Sequence, residues 1–491
     1  MNFDRTSQGR ARSISLTTLS LIALVVCNGF AAPFTLAQQR QSSGAAKSKS
    51  VAASSEEVAA LLRQAAELLQ AGKLDEALPL VRRAIAAAPS NADAHNILGV
   101  ILDQRGQTQA AEREYLEALR LNPGGISARA NLGVLLARTN RSEQAIQAFE
   151  TVLRAVPDHP QATLNLGLLY AARGDYSRAV PLLERANTLH PNTFAVVYNL
   201  GVAFYQLKRI DEAQSALESA ATLAPDDPSP FYYLGLIADS RGQTETATQL
   251  WEKAVALRPN FPEANFMLGE VLRRSNRAND AREFYERALT QDPSELVYYV
   301  RLGGVYLLQN LYERALEIFQ RAAARFPNVA EAHYFVGIAA RGHAAYDVAE
   351  AALRRSLALK PDNADALAQL GFILGERDHL AEAEQLLRRA IALSGNKHFY
   401  AQYDLGRLFV KSKRYEDAIP ILQHAATIRP NNPGVHYQLF MAFSRLKRKD
   451  EADSELAIFK RLDEESKTHR QRDNESESDA ANPPATTPPQ N

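Results

Sequence analysis

Asn131, Asn165 and Asn199 stand 34 residues apart, and a carboxamide offers two donors and an acceptor in one plane. That pattern matches the N–H and C=O groups of a peptide backbone. Three such groups in register suit an extended chain without demanding particular side chains from it. The competing reading is a row of tolerated polar residues on a helix surface. A second stripe begins one residue earlier: Tyr198, Tyr232 and Phe266 share the spacing, and Tyr334, Tyr403 and Tyr437 follow. Rings of this size can anchor a partner's side chains, or they can pack against the preceding segment. Arg273, Arg274, Arg301 and Arg341 add a basic stretch, which a solvated face explains equally well.

Bond-making chemistry finds no support. The chain has no Gly-rich phosphate loop, no GxSxG and no HExxH. Its ten histidines are scattered, none three or four residues from another as metal ligation from one helix face requires. His95 reads as a packed residue rather than a ligand. The one cysteine, Cys27, lies in an N-terminal apolar run, which leaves the body without disulfides or thiol chemistry. Basic and acidic residues balance at 56 each, so nothing electrostatic draws the chain to a phosphate backbone. The expectation is a protein that is not an enzyme, with no catalytic residues, metal or cofactor and no nucleic-acid partner.

The elements that position the amides come from a repeat. Gly99 is followed by Gly133, Gly167, Gly201, Gly235, Gly269, Gly303, Gly337 and Gly371 at intervals of 34, and by Gly406 after 35. Twelve residues beyond each glycine sits an alanine, from Ala111 to Ala418, with Ala77 and Ala452 extending the series. A proline closes most units, as at Pro123, Pro157 and Pro191. Each unit reads as two helices, A and B, joined by a polar turn such as Arg105-Gly106-Gln107. Glycine inside a helix costs about 1 kcal/mol relative to alanine. Ten such penalties in register imply that close helix approach requires the missing side chain. Gly at position 8 and Ala at position 20 are expected to bring the two helices nearly backbone to backbone. Ala at position 27 would do the same against the next unit, and Pro at position 32 would end helix B.

Leu-Gly at positions 7–8, Leu or an aromatic at 11, Ala at 20, an apolar residue at 24 and Pro at 32 resemble the tetratricopeptide repeat. Leu132-Gly133, Leu136, Ala145, Phe149 and Pro157 show the pattern in one unit. The resemblance spans residues 58–466, over four-fifths of the chain. It implies an all-α, right-handed α-solenoid of twelve stacked helix–turn–helix repeats, starting near residues 58, 92, 126, 160, 194, 228, 262, 296, 330, 364, 399 and 433. Positions 2, 6, 9 and 13 of helix A would then line a concave groove. The position-6 asparagines are similar to the asparagine ladder in the tetratricopeptide part of O-linked N-acetylglucosamine transferase. Chaperone-binding members of the family carry a carboxylate clamp that needs Lys at position 2, and no unit from the second to the twelfth has one there.

Both ends depart from the repeat. Arg5, Arg10 and Arg12 precede the apolar run Leu19–Val26, and Thr35-Leu36-Ala37 forms a small-x-small pattern. Residues 1–37 therefore read as a secretory signal peptide, or, left uncleaved, as an inner-membrane anchor through residues 14–37. Residues 38–57 are small and polar and read as a flexible tether. The charged, proline-rich residues 467–491 read as a disordered tail. Between the tenth and eleventh units Gly395 replaces the proline and one residue is inserted, which predicts a local kink. The functional expectation is a scaffold or adaptor, periplasmic or secreted, whose groove holds proteins or extended peptides, by family analogy in envelope assembly or secretion. A substrate-targeting subunit of a separate enzyme, such as a glycosyltransferase, is the alternative. The residues do not define the partner or the oligomeric state.

Overall fold

A computed structural model describes residues 48–481, with side chains from 55 to 468. Residues 1–47 and 482–491 lie outside this range, and with them the expected signal peptide, the first half of the tether and the last residues of the tail. Among the described residues there are 24 helices and no strand. No described helix is long and apolar enough to cross a membrane. The helices fall into two compact units, one ending at Val271 and one beginning at Leu272.

Helix lengths account for the period. The A helices, from Ala92–Gln104 to Pro433–Arg445, have 13 residues, and the B helices, from Leu74–Ala87 to Tyr415–Ile428, have 14. Turns of three residues (105–107) and links of four (122–125) complete the 34. Each A–B turn places its middle residue in the left-handed region, from Gly72 at φ 71° to Lys447 at φ 59°. At Gly106 the bonds Gly106 N–H to Asp103 O (2.9 Å) and Gln107 N–H to Leu102 O (2.9 Å) close helix A. These reversed bonds satisfy carbonyls that the end of a helix otherwise leaves unpaired. At the other end, side chains such as Asn91, Asp227 and Asn432 cap the A helices by accepting a backbone N–H.

The glycines act differently from the expectation. A methyl on Gly133 would fall 2.7 Å from the Phe149 ring, one on Gly99 2.6 Å from Tyr115, and one on Gly201 2.6 Å from Leu217. Position 8 thus receives the large side chain at position 24 of helix B, rather than the backbone around position 20. Phe149, Leu217 and Trp251 are fully buried in these notches. Ala111, Ala145 and Ala213 at position 20 are also fully buried, so small residues still bring the helices together, but a large residue fills the space that glycine leaves. Burying one such side chain contributes about 1.5–3 kcal/mol.

Units stack through a second recurring device. Position 4 of helix A reaches back to the carbonyl of the proline that closes the preceding repeat. Tyr299 Oη donates to Pro293 O at 3.2 Å, while His333 Nε2 and His436 Nε2 lie 3.0 and 2.8 Å from Pro327 O and Pro430 O. His95 does the same to Pro89 O at 3.1 Å and also meets Glu114 at 2.7 Å. Within each unit of the chain most successive A helices touch, as do Ile126–Arg138 and Pro160–Ala172, or Ala364–Glu376 and Phe399–Lys411. Successive B helices make no comparable contact. The A side is therefore the tighter, inner side of each stack.

Two boundaries differ from the expectation. The first helix begins at Ser48 and runs to Gln70, so ten residues assigned to the tether are helical. The last helix runs from Lys449 to Ala481, well into the segment expected to lack structure. The Lys467–Asp463 pair at 2.8 Å shows the i,i+4 pairing that supports a charged helix without a core. The residue inserted near Gly395 is absorbed in the turn by two left-handed residues, Gly395 (φ 58°) and Asn396 (φ 66°). His398 then caps the next helix by accepting from Ala401 N–H at 3.1 Å.

Candidate functional site

The inner side presents helix A positions 2, 5, 6, 9 and 13 to whatever lies against it, and the two units use them differently.

In the first unit Asn131, Asn165 and Asn199 lie on successive A helices, Ile126–Arg138, Pro160–Ala172 and Phe194–Gln206. Each amide already donates one hydrogen bond. Asn165 Nδ2 donates to Gln161 O at 2.8 Å and Asn199 Nδ2 to Ala195 O at 2.7 Å, each one turn back in its own helix. Asn131 Nδ2 donates to Asn96 Oδ1 at 3.0 Å. These bonds fix the plane of each amide and leave its oxygen and its second N–H. Asn131 and Asn199 are half-buried, whereas Asn165 is only 1 % exposed and its Oδ1 has no partner.

The aromatic stripe in this unit mostly packs. Tyr232 and Phe266 are each 6 % exposed, covered by the protein's own packing. Tyr198 stays half-buried and stacks on Phe194 at 5.7 Å between centroids. Tyr233 joins the stripe: its ring stands edge-on to Tyr198 at 6.2 Å, to Tyr205 at 5.7 Å and to Tyr232 at 5.3 Å. It occupies position 6, where the asparagine row ends, and that shared position is the signal that could have revealed it. Burial raises the phenols of Tyr198 and Tyr232 above the ordinary tyrosine range.

In the second unit Arg273 and Arg301 are half-buried and Arg274 is exposed. The denser arrangement lies further on, around Arg341. Arg341 Nη1 donates to Gln369 Oε1, and the guanidinium lies 3.9 Å from the centre of the Phe372 ring. Arg407 faces the same ring at 5.2 Å and pairs with Glu376 at 2.7 Å and Asp404 at 3.5 Å. Gln369 and Asp404 stand at position 6, Phe372 and Arg407 at position 9, and Glu376 at position 13. These positions were legible as groove positions. What the letters did not convey is that Gln369 and Phe372 meet Arg341, which sits at position 12. Among the described residues no group of three or more His, Cys, Asp or Glu could hold a metal ion.

One tetratricopeptide-repeat family model matches residues 62–126 and 130–192, and a second matches residues 170–234. Residues 62–234 are thus matched as tetratricopeptide repeats. Residues 252–477 match the C-terminal domain of cilia and flagella-associated protein 70. Several solved structures are similar to this chain. YrrB, described as a TPR protein with an unusual peptide-binding site, is 22 % identical over 38 % of this chain and 95 % of its own, with a TM-score of 0.36. The APC/C hetero-tetramer Cut9–Hcn1 is 13 % identical over 82 % and 93 %, with a TM-score of 0.44. Yeast Tom70 is 14 % identical over 84 % and 97 %, with a TM-score of 0.34. Among curated proteins none matches.

Proposed function

We propose that the protein is a non-catalytic scaffold that holds an extended segment of a partner protein along the inner, A-helix side of its stacks. The use of position 6 carries this reading. Asn131 and Asn199 remain half-buried on that side, each locked by one donated bond, with a carboxamide oxygen left to accept a backbone N–H. An amide spent wholly on its own helix would favour a structural role. A fixed amide with a spare acceptor favours recognition. Residues 1–37 support an exported location, with the chain serving envelope assembly or secretion across twelve repeats.

A display library of random peptides selected on the full chain tests the function. A photo-crosslinking residue in place of Asn131 or Asn199 should capture the selected peptides, and one in place of Glu218 on helix B should not. Capture only from Glu218, or no enriched peptide, would remove the proposal. The position-6 row also favours a second reading, a subunit that delivers substrate to a separate glycosyltransferase. Recovery of one stoichiometric enzyme on native purification would select it, and recovery of envelope components would select the scaffold.

A further inference from the structure

Several arginines of the second unit are matched to a carboxylate. Arg377 meets Asp347 at 2.7 Å, Arg407 meets Glu376 at 2.7 Å, and Arg414 meets Glu384 at 2.7 Å. Arg341 is not. Among the described residues it forms no ion pair, although it is largely withdrawn from water and desolvation draws its pKa downward. Asp404 acts on it only from a distance, and the like charge of Arg407 opposes it. A half-buried guanidinium without a carboxylate is costly. Here it is nevertheless held in place, by the Gln369 amide on one side and the face of the Phe372 ring on the other. One of its five donors is taken by Gln369, and the planar fork that remains matches a carboxylate in two-pronged fashion.

We propose that Arg341, set between Gln369 and Phe372 on the inner side of the second unit, receives a carboxylate side chain from an acidic segment of the partner protein. This rests on the scaffold function and names the kind of segment bound. The place differs from the family's chaperone-tail clamp: the contributing positions are 12, 6 and 9 of three different roles, and the lysines of that clamp are absent. Charge complementarity commits the site to an acidic occupant. Asp404 bears on both arginines but lies within ion-pair reach of Arg407 alone, and Glu376 pairs with Arg407. Phe372 adds an apolar surface beside the cation, suited to the methylene stem of a glutamate.

The test uses the full chain and a fluorescein-labelled octapeptide of alternating Glu and Ala, read by anisotropy. Its counterpart with Gln in place of Glu is the comparator. The Glu peptide should bind about tenfold more tightly, the difference that one charge-assisted pair supplies. Arg341→Gln should reduce its binding to the level of the Gln peptide, and Arg341→Lys, which keeps the charge but loses the fork, should restore part of it. Melting curves of both variants check that each is folded. Equal binding of the two peptides, or undiminished binding of the Glu peptide by Arg341→Gln, would overturn the proposal. So would Arg341-dependent binding of phosphatidylserine vesicles or an RNA oligonucleotide in place of the peptide. Library selection on the same chain separates the two levels. Enriched peptides without acidic residues sink the acidic site and leave the scaffold standing, whereas no enriched peptide removes both.

Discussion

The Asp404 carboxylate lies 3.5 Å from the Arg407 guanidinium while only 8 % of the residue is exposed. Two arginines bear on it, yet burial outweighs them and pushes its pKa up to about 6. In an unfolded chain aspartate titrates near about 3.9, so the folded protein holds this proton more tightly than the unfolded one. The stability that follows is fully present below about pH 4 and is lost as the pH rises through about 6. Asp404→Asn, which keeps the shape and removes the buried charge, should therefore raise the stability at pH 7.5 by up to about 2–3 kcal/mol, and Tm with it. The gain should vanish near pH 4. Melting curves at the two pH values check it. A lower Tm at pH 7.5 would mean that the pair with Arg407 outweighs desolvation.

Gly303 and Gly304 are neighbours in one A helix, Leu296–Leu308, and should respond oppositely to alanine. A methyl on Gly303 would collide with the fully buried Phe319 ring, whereas one on Gly304 meets nothing within 4 Å. Overfilling a packed core costs about 1–3 kcal/mol, and alanine is better than glycine in a helix by about 1 kcal/mol. Gly303→Ala should destabilise by up to about 2 kcal/mol net, and Gly304→Ala should stabilise by about 1 kcal/mol. Urea unfolding of the two single variants measures both. Equal effects would show that propensity, and not the notch, dominates at Gly303.

Ala344 holds the left-handed place in its A–B turn, at φ 58°, where the equivalent turns use Gly72, Gly106, Gly174 and Gly242. A side chain with a Cβ is strained there by roughly 1 kcal/mol. Ala344→Gly should raise stability by about that amount, less a few tenths for the greater freedom of the unfolded chain. Asn310→Gly should change it little, because asparagine tolerates this conformation. Differential scanning calorimetry of the two variants decides the point.

Much of the fold was legible because it is local and periodic. The 34-residue phase assigns the helix pairs, and polar or glycine turns mark where each A helix must reverse. Small residues at fixed positions identify the sides that meet. Position 6 on the inner side followed from the same phase, which is why Asn131, Asn165 and Asn199 could be picked from the letters.

What recurs with a fixed phase is determined by the sequence itself: the helix pairs, their turns, the close approach at glycine, and the side on which the amides stand. Only the tertiary structure decided which atoms use those opportunities. It placed Phe149 and Trp251, rather than backbone, over the glycine notches, and it buried Tyr232 and Phe266. It also brought Arg341, Phe372 and Arg407 from three helices to one place. The physical reason is that spacing along a chain specifies the direction of a side chain from its helix. Burial and partnership depend on what the neighbouring repeats put opposite it, and those contacts join residues about thirty or more positions apart.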